Sequence, residues 1–218
     1  MKYKAVLYDM DGTVLDTLGD LVNAVNHTME HFDLPLRSKE QIMSYLGNGA
    51  RTLITCASTH DGRSPEQLQE ILEFYTQWYN SHSQILTAPY PGIVELMQEL
   101  RARGVKQAVI SNKQDSAVKP LAAHYFPGLL ESALGESKSV RKKPDPSSVL
   151  AALKELGVDK SEAIYVGDSE VDVQTAINAG MDCAAVSYGF RSIEELEAAG
   201  AKRIFHTVKE LSDFLLSE

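Results

Sequence analysis

The chain has 218 residues, 44% apolar and 23% charged, which suits one large globular domain or a core carrying an insertion. Its formal net charge of −9 argues against nucleic-acid binding, which requires clustered Lys and Arg. No apolar stretch approaches the ~20 residues that span a bilayer, and Cys56 and Cys183 lie far apart without metal-type spacing.

The N-terminal segment runs into a strand pattern with no cleavable signal, so a cytoplasmic protein is expected. In "AVLYDMDGTVLDT", residues 5–17, an apolar run delivers Asp9 and Asp11 into a glycine turn, and Asp16 follows. A strand is expected over 3–9. Charge placed at the end of a buried strand is costly unless a cation or hydrogen-bond donors answer it.

From Asp16 to about His82 no strand pattern occurs. Leu18, Leu21, Val22, Val25, Met29 and Phe32 form one apolar stripe at helical spacing. Ser38 with Gln41, and Ser64 with Pro65 and Gln67, read as capping boxes opening two further helices. Leu68, Ile71, Leu72, Tyr75 and Tyr79 stripe the last helix. Between these helices "YLGNGARTL", residues 45–53, reads as a turn whose two glycines let backbone approach closely. "APYPG", residues 88–92, marks the return to the core.

After that return, strands are expected at 106–111, 163–167 and 183–187, with weaker candidates near 131–134 and 203–206. Amphipathic segments separate most of them. Ile93, Leu96, Met97 and Leu100 share a face before Gly104, as do Val149, Leu150, Leu153 and Leu156 before Gly157. Strands alternating with helices predict an α/β fold, a Rossmann-like parallel sheet flanked by helices. The expected organisation is a core of residues 1–15 and 83–218 interrupted by an all-helical domain at 16–82.

Ligands of open parallel sheets bind beyond the carboxyl ends of the strands. Asp9 and Asp11 follow the first strand. Ser111, Asn112 and Lys113 follow the second, and Gly167, Asp168 and Asp172 follow the strand at 163–167. "RKKPDP" places Lys143 at the mouth of a helix. Singly, each has a structural explanation as a turn or a helix cap. An EF-hand reading of "DMDGTVLD" fails, because the terminal glutamate is absent and a strand precedes the loop. Jointly, in this order at strand ends, three carboxylates, a hydroxyl and a lysine converge from separate parts of the chain, which turns and caps taken one by one do not explain.

The chain resembles the haloacid dehalogenase-like superfamily, specifically its phosphatases with a helical cap. "DMDGT" (9–13), Ser111, Lys143 and "GDSEVD" (167–172) correspond to that superfamily's four motifs. The resemblance implies Mg²⁺ held by Asp9, Asp168 and the backbone carbonyl of Asp11. It implies Asp9 as nucleophile forming an aspartyl-phosphate, and Asp11 as acid and then base. Ser111 and Lys143 would stabilise the transferring phosphoryl group, with Gly12, Thr13 and Asn112 binding phosphate. Asp172 is expected to orient Lys143 or the metal's surroundings. The aspartate at position 11 favours phosphoryl transfer over dehalogenation, since departing halide needs no proton.

The inserted helices are expected to close over the site and to shape specificity. The 45–53 segment resembles the cap loop of phosphoglycolate phosphatases, with Arg51 placed to meet an anionic leaving group. A small phosphorylated metabolite is therefore the expected partner, 2-phosphoglycolate first. Related caps also serve pyrophosphatases and a sugar-phosphate mutase, which remain alternatives, as does a non-catalytic phosphate- or Mg²⁺-binding module. A receiver domain would not need the 16–82 insertion or a proton donor beside the nucleophile. A two-carboxylate glycosidase would leave Ser111 and Lys143 without a role.

Overall fold

The structure is a computed structural model that describes residues 2–58, 63–137 and 141–217. Its sheet is built on β1 (Ala5–Tyr8), buried at every position. The other strands are β4 (Lys106–Gln114), β5 (Ser132–Glu136), β6 (Ala163–Gly167), β7 (Asp182–Val186) and β8 (Ile204–Phe205). They lie in the order β5-β4-β1-β6-β7-β8, and every pairing is parallel. A sheet covered on both faces needs apolar residues on both, and β1 supplies them by alternation. Val6 and Tyr8 face one core cluster, with Ile93, Leu96, Leu100, Leu211 and Leu215. Ala5 and Leu7 face the other, with Val149, Ala152, Leu153 and Leu156.

The covering helices are α5 (Ile93–Ala102), α6 (Asp115–Tyr125), α7 (Ser147–Leu156), α8 (Glu170–Ala179), α9 (Ile193–Ala198) and α10 (Val208–Leu216). In α7 the expected stripe shifts by one position. Leu150 is 42% exposed and Ala152 is fully buried in its place. Gly157 ends α7 in the left-handed conformation, as its sequence position predicts.

The described residues of 18–82 hold four helices rather than the three expected: α1 (Leu18–His31), α2 (Lys39–Tyr45), α3 (Gly49–Ala57) and α4 (Pro65–His82). Both capping boxes form, at Ser38–Gln41 and Ser64–Gln67. The additional helix is α3, whose first residue falls within the segment that reads as a turn. Only the break Leu46–Gly47–Asn48 separates it from α2. These helices bury a cluster of their own, including Leu21, Val25, Met29, Ile42, Ile54, Ile71 and Tyr75, with Ala117 and Phe190 reaching in from elsewhere.

Two linkers join this bundle to the sheet region, and they pair as a short antiparallel ribbon, β2 (Leu15–Asp16) with β3 (Ala88–Pro89). Asp20, 1% exposed, fixes the return path. Its carboxylate accepts the backbone N–H groups of Ile85, Leu86 and Thr87 and the Thr87 hydroxyl. That set of donors answers the buried charge without a cation. No helix among the described residues is long and apolar enough to cross a membrane.

Candidate active site

The backbone N–H of Asp9 donates to Val166 at 2.8 Å, which holds the residue at the carboxyl end of β1. The chain then turns tightly, with the N–H groups of Val14 and Leu15 donating to the Met10 carbonyl. This turn sends Asp11 toward α1, where Oδ1 accepts a 2.6 Å hydrogen bond from Thr17. Strand β4 runs three residues beyond the expected end, but its register with β5 breaks between Ile110 and Gln114. Ser111, Asn112 and Lys113 lie in that irregular stretch, where a bulge can re-aim side chains. Asp168 and Ser169 follow β6, and Ser169 caps α8 through Asp172.

Four charged groups are buried together. Lys143 Nζ lies 2.8 Å from Asp9 Oδ1 and 2.7 Å from Asp172 Oδ1. Asp172 also accepts from the Tyr165 hydroxyl and, on its other oxygen, from the backbone N–H and hydroxyl of Ser169. Asp168 accepts from Phe190 N at 2.7 Å and from the Thr13 hydroxyl at 3.2 Å. One carboxylate oxygen from each of Asp9, Asp168 and Asp172 lies within 4.8 Å of the others. Three carboxylates therefore face one ammonium.

The electrostatics follow from that imbalance. Burial, then the Asp172 charge, pushes Asp9 up to about 7 despite the opposing pull of Lys143. Burial and the charges of Asp172 and Asp9 raise Asp168 well above the usual carboxylate range. Burial alone would lower Lys143, but Asp172 and Asp9 outweigh it and hold the ammonium protonated. Asp9 Oδ1 is buried and accepts no hydrogen bond; its close approach to Lys143 is an ion pair without hydrogen-bond alignment. The carboxylates of Asp9 and Asp168, both buried and close together, suit a hard divalent cation, which takes oxygen ligands. Asp172 is already satisfied by Lys143, Tyr165 and Ser169, so Asp9 and Asp168 are the better ligands.

A cavity of about 70 Å³ opens between these groups and the helical bundle, lined by Asp9, Asp11, Ser111, Lys113, Leu21 and Tyr79 among others. Leu46, Gly47 and Gly49 form part of its wall. Asn112 donates to the Gly47 carbonyl at 3.0 Å, and a Cβ on Gly49 would sit 2.9 Å from the Asn112 carbonyl oxygen. The two glycines do bring the 45–49 backbone against the sheet, as their spacing predicts.

Several residues serve differently from expectation. Asn112 lines the cavity, but its side-chain amide is engaged by the backbone of Gly47 and Lys143 and braces the site. Thr13 turns its hydroxyl to Asp168, and Gly12 packs against the same carboxylate. Arg51 is exposed on α3, hydrogen-bonded to Gln69, and does not line the cavity. Helix α3 turns it outward, a direction that a turn over residues 45–53 does not specify. Of the adjacent lysines, Lys142 pairs with Glu136 at 3.1 Å and leaves the buried position to Lys143.

The loop after β7 belongs to the site as well. Phe190 N holds Asp168, and a Cβ on Gly189 would fall 2.4 Å from Asp168 Oδ2, so only glycine fits there. Arg191 donates to the carbonyls of Met43 and Leu46 and pairs with Glu170 at 2.8 Å. "SYGFRS" at a strand's carboxyl end was the available signal. Lys113, next after Ser111 and Asn112 in the sequence, also reaches the site. Its ammonium lies 3.1 Å from Asp11 Oδ1 and 2.9 Å from the Tyr79 hydroxyl on α4.

The family described as haloacid dehalogenase-like hydrolase matches residues 6–186. Phosphoglycolate phosphatase 1 of Pseudomonas aeruginosa is 35% identical over 196 residues, covering 86% of this chain and 70% of that protein. The N-acetylmuramic acid 6-phosphate phosphatase of the same organism is 32% identical, covering 99% and 96%. A crystal structure of a candidate phosphoglycolate phosphatase from Lactobacillus delbrueckii subsp. bulgaricus superposes with a TM-score of 0.91. It is 39% identical and covers 100% of both chains.

Proposed function

The chain belongs to the haloacid dehalogenase-like hydrolases and is a phosphatase, and on that premise we propose that it hydrolyses a small phosphorylated carboxylic acid, 2-phosphoglycolate first. Residues 1–15 and 83–218 are assigned as its core and 16–82 as its cap. Both relatives named above carry the name of a phosphorylated acid. The cytoplasm is the compartment this reading assigns.

The observation that carries the chemistry is Asp9 at the end of β1, 2.8 Å from buried Lys143 and grouped with Asp168. Asp9, Asp168 and the Asp11 backbone carbonyl would hold Mg²⁺, which when bound offsets the charge of the phosphate and the carboxylates. Asp9 attacks phosphorus, the bond from phosphorus to the leaving oxygen breaks, and Asp11 gives that oxygen a proton. Water then attacks the aspartyl-phosphate, Asp11 takes its proton, and the bond to Asp9 breaks to release phosphate. Lys143 offsets the repulsion between Asp9 and the phosphoryl group, and the Ser111 hydroxyl donates to its oxygens.

The test is phosphate release from a panel of phosphate monoesters, with Mg²⁺ and with chelator. Strong Mg²⁺-dependent release from 2-phosphoglycolate is expected. Release spread evenly over sugar phosphates and small acids would overturn the substrate assignment. No release from any ester would overturn the hydrolytic reading and favour a mutase.

A further inference from the structure

We propose that Lys113 is the residue that recognises the negative charge of the leaving group, an inference that rests on the phosphatase reading above. Asp11 must stand within hydrogen-bond reach of the leaving oxygen to protonate it. Lys113 Nζ is 3.1 Å from Asp11 Oδ1, so the ammonium lies within ~6 Å of that oxygen. A carboxylate one carbon beyond the ester oxygen spans such a gap.

The other cations lining the cavity are already committed. Lys143 is held between Asp9 and Asp172. Arg191 spends its donors on Glu170 and the carbonyls of Met43 and Leu46. Lys113 has three N–H donors and two partners, Asp11 and the Tyr79 hydroxyl. Its side chain is 9% exposed, so an ion pair made there is little screened by solvent. The surrounding wall from α1, α3 and α4 is apolar, with Leu21, Leu53 and Tyr75, and offers an anion no competing donor of full charge. Tyr79 fixes the ammonium from the cap side by its hydroxyl and by its ring, whose centroid is 4.3 Å away. Lys113 thus ties cap, proton donor and leaving group to one cation, the task that Arg51 is too far outside to perform.

The experiment compares 2-phosphoglycolate with 2-hydroxyethyl phosphate, an uncharged leaving group of similar size, in the Mg²⁺-loaded chain and in Lys113→Met. The unmodified chain is expected to prefer the acid by about tenfold or more in kcat/KM. Lys113→Met should bring that ratio close to one, chiefly through KM for the acid, and Lys113→Arg should keep part of it. An unchanged ratio in Lys113→Met overturns the assignment. A second measurement needs no variant: glycolate should inhibit the unmodified chain competitively and ethylene glycol should not, and equal inhibition overturns the assignment. Turnover of neither ester would instead overturn the proposed substrate class.

Discussion

Removing the Lys143 ammonium leaves Asp9 and Asp172 facing each other out of water, the first 7% and the second 0% exposed. Breaking a buried ion pair from one side costs far more than the pair contributes. Lys143→Met is therefore expected to lower stability by about 3–5 kcal/mol in urea unfolding, besides abolishing phosphate release. Asp9→Asn should behave differently. It removes a carboxylate that burial already disfavours, so the fold should persist while turnover falls by at least about 10³-fold. Mass spectrometry of acid-quenched enzyme should find a phosphoryl adduct on the unmodified chain and none on the variant. Wild-type turnover in Asp9→Asn would remove the nucleophile from Asp9. Asp9 was legible in the sequence because it ends a strand, and Lys143 because it corresponds to a motif of the resembled superfamily. Two partners were not: Tyr165 and Thr17 reach the site through the fold, and nothing local marks them.

At the scale of elements, the site lies where the α1–α4 bundle meets the sheet, and the loop after β7 straps the two. Arg191 bonds the carbonyls of Met43 and Leu46 at the end of α2 and pairs with Glu170 on α8. Arg191→Met should speed amide exchange across 43–49 while leaving β1 and β6 protected, as a local opening does. Exchange unchanged in that segment would show that Asn112 and the glycine contacts hold the cap alone. The periodic pattern predicted α1, α4, α5 and α7 because their apolar stripes face a core. It missed α3, whose start at Gly49 follows a glycine-flanked break and whose helical state depends on packing against α4. That omission also misplaced Arg51, since a side chain's direction follows from the helix that carries it.

Over the whole molecule, the acidic cluster couples stability to pH. Asp9 rises from 3.8 to about 7 on folding, and Asp168 also rises. The native state then binds more protons than the unfolded chain between about pH 4 and pH 7, so their contribution is present below the unfolded value and lost as pH rises through the folded one. Asp145, Asp159 and Asp182 are lowered by their hydrogen bonds and titrate below that window. Metal-free protein should consequently lose Tm between about pH 5 and pH 8, and Mg²⁺ should raise Tm more at the upper end. Thermal unfolding with Mg²⁺ and with EDTA at both pH values checks this. A Mg²⁺ increment that shrinks with rising pH would contradict it. Asp9→Asn should reduce the pH dependence of the metal-free protein.

The sequence by itself determined the alternation of strands and helices, the helical interruption after the first strand, and the order in which acidic, hydroxyl and lysine residues reach the strand ends. Those features are written in local periodicity and capping, and a parallel sheet aligns its strands' carboxyl ends whatever the loops do. Tertiary structure alone decided where Arg51 points and that Lys113 meets both Asp11 and Tyr79. Such choices depend on contacts between segments remote in sequence, Tyr79 with Lys113 and Arg191 with Met43. Only packing fixes the distances on which charge and hydrogen bonding act.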